Sequence, residues 1–198
     1  MRARLILVRH GPSAHSVGGV FDRGGVERWR DAYDAAGIRP GARPPASLIQ
    51  LARDATHLIA SDLPRAVASA EALGSQHSIR VSELLREAPL AIPDWPTRLP
   101  LALWGTLIHA LWSYRVTRGS DATDADLARA QAASEWLASL VTDGSTAIVL
   151  THGVFRRLVG RQLARRGWTS AGQDGGYRHW SSWTFLAPLA APLIPPDK

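Results

Sequence analysis

Two short apolar runs, Leu5 to Val8 and Thr146 to Leu150, constrain the fold of this chain more than any other feature. Each has the length of a strand and carries no charge. Each is followed within two residues by a histidine and then a glycine, in Arg9-His10-Gly11 and Thr151-His152-Gly153. A strand without polar alternation is buried on both faces, as in a parallel sheet covered by helices. In such sheets ligands bind beyond the carboxyl ends of the strands. Gly11 is therefore expected to let a substrate approach the backbone, and Arg9 supplies a planar cation suited to phosphate.

The rest of the chain alternates strand and helix signals. A Gly-rich loop from Gly11 to about Gly25 leads to an expected helix over Val26 to Ala36. A second helix is expected over Pro45 to Asp54, then a strand over His57 to Ala60. Ser61 or Asp62 is expected to cap a helix with Pro64 in its first turn, ending at Gly74. A third strand, Ile79 to Val81, precedes a Pro-rich segment. Leu101, Trp104, Leu107, Ile108, Leu111 and Trp112 follow helical spacing. That stripe either packs into the core or forms a lid favouring a partly apolar substrate, and its exposed parts would suit a dimer surface. Thr123 or Asp124 is expected to cap another helix, to about Val141. A helix follows His152, running to about Arg166, and Trp180 to Leu186 alternates like an edge strand. The expectation is one domain over 1–198, a three-layer α/β/α sandwich with a mostly parallel sheet. A helical insertion is placed at about 93–122 and an irregular tail at about 187–198.

Composition removes several function classes. No cysteine is present, so disulfides and Cys-ligated metal centres are excluded. No apolar stretch reaches the roughly 18 residues of a membrane span, and the run before Arg9 is too short for a signal-peptide core. A cytoplasmic location without membrane contact is the resulting expectation. The net charge of +6 is almost all arginine, since Lys198 is the only lysine. The eight tryptophans do not interleave with a basic run, so nucleic-acid binding is not expected.

Right-handed crossovers put the carboxyl ends of parallel strands on one edge. His10, His152 and the Ser61 to Arg65 turn are expected to converge there. Phosphoryl transfer is catalysed mainly by positioning and charge stabilisation. Arg9, Arg65 and one histidine would surround the phosphoryl oxygens while the other histidine attacks phosphorus. Neighbouring cations would hold that histidine neutral. The amides after His152 would add a further anion site. Glu87 and Glu83, both after the third strand, are candidates for a proton donor to the leaving alkoxide.

Four segments resemble the histidine phosphatase, or phosphoglycerate-mutase-like, superfamily. LVRHGPS resembles its first-strand signature, SDLPRAVASAEAL its second-arginine motif, LLREAPL its acid segment and VLTHGVFRRLV its second-histidine motif. They occur in the family's order. The resemblance implies that His10 is the nucleophile, that Arg9 and Arg65 bind the phosphoryl group and that His152 stabilises the same oxygens. It implies Glu87 as the acid, because Glu87 directly follows Leu85-Arg86. Ser13 matches the usual Ser or Thr, and Ser13 and Gly153 would contact substrate. No metal and no cofactor are implied. Pro12 stands where the family has Glu or Gln, Ser16 replaces an Asn, and the following loop lacks the mutase pattern. Hydrolysis of a phosphorylated small molecule or protein is therefore expected over mutase activity. The alternative is a weakly active relative that binds phosphorylated ligands as a regulator. His15 and His179 are secondary site candidates, and His57, His77 and His109 are read as bystanders.

Overall fold

The computed structural model describes residues 1–74, 76–118 and 124–189. In chain order the first elements are β1 (Arg4–Arg9), β2 (Val20–Phe21), α1 (Arg23–Ala35), α2 (Ala46–Asp54) and β3 (His57–Ser61). Then come α3 (Pro64–Ala72), β4 (Ile79–Ser82), a single 3-10 turn at Glu83–Leu85, β5 (Leu99–Pro100) and α4 (Leu101–Arg118). The chain continues through α5 (Asp124–Leu140), β6 (Thr146–Thr151), α6 (Phe155–Arg165), β7 (Thr169–Asp174) and β8 (Ser182–Leu186).

Six strands form one sheet in the order β4-β3-β6-β1-β8-β7. The first four are parallel, and β8 and β7 add antiparallel pairings. The apolar run of β1 is buried on both faces, as its composition requires. Leu5 and Leu7 pack with α5 and α6, whereas Ile6 and Val8 pack with α2 and α3. Each such side chain contributes about 1.5–3 kcal/mol by leaving water. The result is the expected three-layer sandwich.

The sheet register sets the site. Arg9 of β1 lies opposite Thr151 of β6, and the His10 amide donates to the Thr151 carbonyl at 2.9 Å. The residues that follow, His10 and His152, therefore leave the sheet side by side.

Several local expectations are corrected. β8 is an interior strand between β1 and β7, not an edge. The true edge, β7, has the sequence TSAGQD, fully exposed and bulged between Ser170 and Gly172, so it carries no apolar alternation to read. Helix α3 has Leu63 at its N-cap, without a side-chain cap. Ser61 Oγ accepts from the Leu63 amide instead, and Asp62 pairs with Arg86. Pro64 opens the helix as expected, and Gly74 closes it in the left-handed conformation that glycine adopts freely (φ 62°). Asp124 is the first residue of α5 rather than its cap. Thr123 and the tail beyond 189 lie outside the described residues. No helix among the described residues is long and apolar enough to cross a membrane.

The stretch expected at about 93–122 contributes α4, whose apolar residues fall in two separate clusters. Trp112 joins the main core. Trp104 and Ile108 form a separate small cluster with Val26 of α1, with Phe21, Leu90, Ile92 and Leu99 packed on it. The short β2–β5 pair ties the loop after β1 to the start of this helix.

Candidate active site

Four parallel strands deliver the side chains to one sheet edge. Arg9 ends β1 and His10 follows it, His152 follows β6, Arg65 sits in the first turn of α3 after β3, and Glu87 follows β4 and its 3-10 turn. Arg9, His10, Arg65 and Glu87 line a cavity of about 1000 Å³.

His10 is 2% exposed. Its Nδ1 lies 2.7 Å from the Gly11 carbonyl oxygen. A carbonyl only accepts, so Nδ1 carries the proton and Nε2 presents its lone pair. The Arg65 Nε–H points at that Nε2 from 3.3 Å. Arg65 is buried. Its Nη1 donates to the Tyr33 carbonyl at 3.1 Å and pairs with Asp34 at 2.9 Å. The Tyr33 ring stacks under its guanidinium, 4.5 Å from the ring centroid. Burial, followed by the charge of Arg65, holds His10 neutral, well below the ordinary histidine range.

His152 lies directly behind, with ring centroids 5.2 Å apart. It is fully buried, and neither ring nitrogen has a hydrogen-bond partner. Burial, then His10 and Arg65, depress its pKa as well. The Nε of Arg9 is also buried and unpartnered, while its Nη1 donates to the Tyr177 carbonyl. Unpaired buried polar atoms are rare and costly. Among the described residues six such atoms occur, and three of them, on Arg9 and His152, adjoin His10; the others are on His15, Trp112 and Arg156.

Glu87 occupies the place the sequence offered to a bound anion. Its Oε1 accepts from the amides of Phe155 at 2.8 Å and Ala88 at 3.1 Å, and its Oε2 from Val154 at 3.3 Å. The N-terminus of α6 is thus filled by the protein's own carboxyl group. Arg129 secures the loop by donating to the carbonyls of Leu84, Arg86 and Glu87. It stacks 3.9 Å over Phe155 and pairs with the buried Asp126. Thr151 Oγ1 donates to the Leu85 carbonyl from the other side. Glu83 also lines the cavity, but it lies at the rim, 77% exposed and 3.7 Å from Arg86.

Ser13 and Gly153, expected to contact substrate, have the following neighbours. Ser13 Oγ accepts from the His15 amide at 3.1 Å. Ser13 also bridges Ile38, and the Arg39 amide donates to the Pro12 carbonyl, so the loop after His10 is clamped by the 37–39 segment. Gly153 lies against the Arg9 guanidinium, where an added Cβ would sit 3.5 Å from Nε. Ser16 is exposed. The space above Gly11 is filled by Trp180, not left for substrate, since a Cβ there would lie 2.3 Å from Cζ2 of the indole. Trp180 adopts a positive φ of 65°, the only such residue besides glycine among those described. That conformation costs about 1–2 kcal/mol and is stabilised by the bond from its amide to the Arg9 carbonyl.

Sequence reasoning missed several contributors. Ser69, one turn after Arg65, donates to the Arg65 carbonyl and accepts the Gly11 amide, so one hydroxyl couples α3 to the loop after His10. Arg156 is fully buried and holds the 175–181 loop through the Gly176 and Ser181 carbonyls. Burial lowers its pKa to about 10. His179 of that loop, a secondary candidate in the sequence, lies 5.6 Å from His10, ring to ring, and burial with Arg9 lowers it to about 4. His109, read as a bystander, lines the outer cavity. The described residues present no cluster of three or more His, Cys, Asp or Glu side chains placed to hold a metal ion.

No protein-family model matches the sequence, and no curated protein matches it. Solved structures do match its fold. The chain is similar to a histidine-to-alanine mutant of phosphoserine phosphatase from Entamoeba histolytica in complex with phosphoserine. That match has 15% identity, covers 82% of this chain and 80% of that one, and has a TM-score of 0.52. Phosphoserine phosphatase from the same organism in complex with 3-phosphoglyceric acid matches with the same identity and coverage at a TM-score of 0.49. A protein from Thermus thermophilus matches at 20% identity over 93% of this chain and 99% of that one, with a TM-score of 0.44. The class defined here is an α/β sandwich that carries a histidine–arginine site at the carboxyl edge of its parallel strands. Its particular fold is that of the phosphoserine phosphatase.

Proposed function

We propose that this chain is a phosphoric monoester hydrolase that works through a phosphohistidine on Nε2 of His10. The observation that carries the reading is the hydrogen bond from His10 Nδ1–H to the Gly11 carbonyl. It leaves Nε2 unprotonated, its lone pair accepting only the long 3.3 Å bond from Arg65 Nε, next to the unpartnered nitrogens of His152 and Arg9. The four motifs in family order and the shared fold support the same reading.

In the first step the Nε2 lone pair attacks phosphorus, the bond from phosphorus to the leaving oxygen breaks, and Glu87 delivers a proton to that oxygen. Arg9, Arg65 and His152 stabilise the charge spread over the three phosphoryl oxygens. In the second step the Glu87 carboxylate takes a proton from water as the water oxygen attacks phosphorus. The P–N bond breaks, and inorganic phosphate and neutral His10 are restored. His10 begins neutral because burial and Arg65 disfavour imidazolium.

A second reading, a binder of phosphorylated ligands without turnover, rests on Asp34, which already occupies Arg65 Nη1. One experiment separates the two. Wild type and His10→Ala are assayed for phosphate release from p-nitrophenyl phosphate, with acid-labile phosphate on the protein measured in parallel. Hydrolysis and labelling that both vanish in His10→Ala support the hydrolase. A wild type that binds phosphate but neither turns over nor becomes labelled supports the binder.

A further inference from the structure

The cavity at His10 has two chemically different ends. The inner end holds His10, Arg9 and Arg65. The outer wall is built by three separate segments: Val26 and Trp29 of α1, Leu90 and Ile92 of the Pro-rich stretch, and Trp104 and Ile108 of α4. The indole donors of both tryptophans are used elsewhere. Trp104 Nε1–H donates to the Phe21 carbonyl at 2.9 Å, and Trp29 Nε1–H to the Val17 carbonyl at 2.8 Å. What they offer the cavity is ring surface. Most charged groups along its walls are already paired, Arg86 with Asp62 and Glu83, Asp34 with Arg65 and Arg129 with Asp126, while Arg30 of α1 reaches the Leu90 carbonyl at 3.5 Å. The unsatisfied donors lie instead at the phosphate end, on Arg9 and His152.

A volume of about 1000 Å³ stands at the upper end of small-molecule pockets. It far exceeds what a phosphoryl group on a three-carbon alcohol fills. An apolar compartment of this size next to an anion site marks a ligand with an anionic head and an apolar body.

Resting on the hydrolase reading above, we propose that the substrate is the phosphomonoester of a bulky apolar alcohol, aryl or long-chain alkyl. Its organic part is seated between α1, α4 and the 88–92 stretch. Polar small-metabolite esters leave this compartment wet and gain nothing from it.

The test is a series of n-alkyl phosphates from ethyl to decyl, with phosphoserine and glycerol phosphate as polar comparators. Wild-type kcat/KM is expected to rise by a factor of about 2–4 for each buried methylene until the compartment is filled. Ile92→Asn and Ile108→Asn are expected to flatten that slope, with losses that grow with chain length. A chain-length profile that is flat while p-nitrophenyl phosphate is hydrolysed overturns this proposal and leaves the hydrolase reading standing. The same holds if phosphoserine is turned over faster than decyl phosphate. If no ester is hydrolysed, the hydrolase reading fails, and calorimetric binding of the same alkyl phosphates decides the inference. Affinity that rises with chain length supports it, and affinity that does not overturns it.

Discussion

The Nε–H of buried Arg65 meets the unprotonated Nε2 of His10 at 3.3 Å, while Asp34 and the Tyr33 carbonyl hold the other arm of the guanidinium. One planar cation thus touches the proposed nucleophile and two further partners together. A lysine has one compact donor group and cannot span both sets of partners. Arg65→Lys is expected to lower kcat/KM for p-nitrophenyl phosphate by about 10²–10³-fold, the effect of losing one preorganised donor at a developing charge. A variant within threefold of wild type would show that Arg65 does not touch the transferred group.

Glu87 and Glu83 differ in what each holds. Glu87 accepts two backbone amides at the start of α6 and that of Ala88, whereas Glu83 pairs with Arg86 at the rim. Glu87→Gln is expected to reduce turnover by about 10²–10⁴-fold. It should still form labelled His10 from p-nitrophenyl phosphate, whose leaving group needs no proton. Glu83→Gln is expected to stay near wild type. Rapid-quench measurement of protein-bound phosphate checks this, and a larger loss in Glu83→Gln reverses the assignment.

Two glycines that follow histidines should respond differently to alanine. At Gly11 the new Cβ meets the Trp180 indole at 2.3 Å, and the ring is pinned by its own backbone bond to Arg9. At Gly153 the new Cβ meets the Arg9 guanidinium at 3.5 Å, an ordinary contact. Gly11→Ala is expected to cost about 1–3 kcal/mol through overpacking, and Gly153→Ala less than about 1 kcal/mol by the same reasoning. Denaturant melts of the two variants test the contrast, which equal midpoints would contradict.

What the sequence makes legible follows from where its signals are strong. Apolar strands that end in histidines dictate a buried parallel sheet, and sheet register then places His10 beside His152. Arg65 was readable because a proline opens its helix directly after a strand. The occupant of the α6 N-terminus was not readable. Amides after His152 advertise an anion site, but only the tertiary fold shows that Glu87 reaches it from a loop over sixty residues earlier. Ser69, Arg156 and Asp34 were invisible for a related reason. Each acts through a backbone carbonyl or a partner distant in sequence, and no local pattern marks such a bond. Strand β7 was missed because an exposed, Gly-containing edge has nothing to bury.

The buried histidines set the response to acid. His10 and His152 are held below the ordinary value of about 6.5, both chiefly by burial, and His179 is lowered to about 4. In the unfolded chain these rings take up protons as the pH falls through 6.5, whereas in the folded chain they remain neutral. The unfolded state then binds more protons, so stability falls with falling pH. The stability tied to these groups is present above pH 6.5 and is lost below it, the share of His179 between about 6.5 and 4. The thermal midpoint is therefore expected to drop steadily from pH 7 to pH 4.5, and less steeply in His10→Gln, which removes one titrating ring. Over the range in which the protein stays folded, kcat/KM should show no acid limb centred near 6.5, because the nucleophile is already neutral. A midpoint that is flat over this range, or a kcat/KM acid limb centred near 6.5, would contradict the electrostatic account of the site.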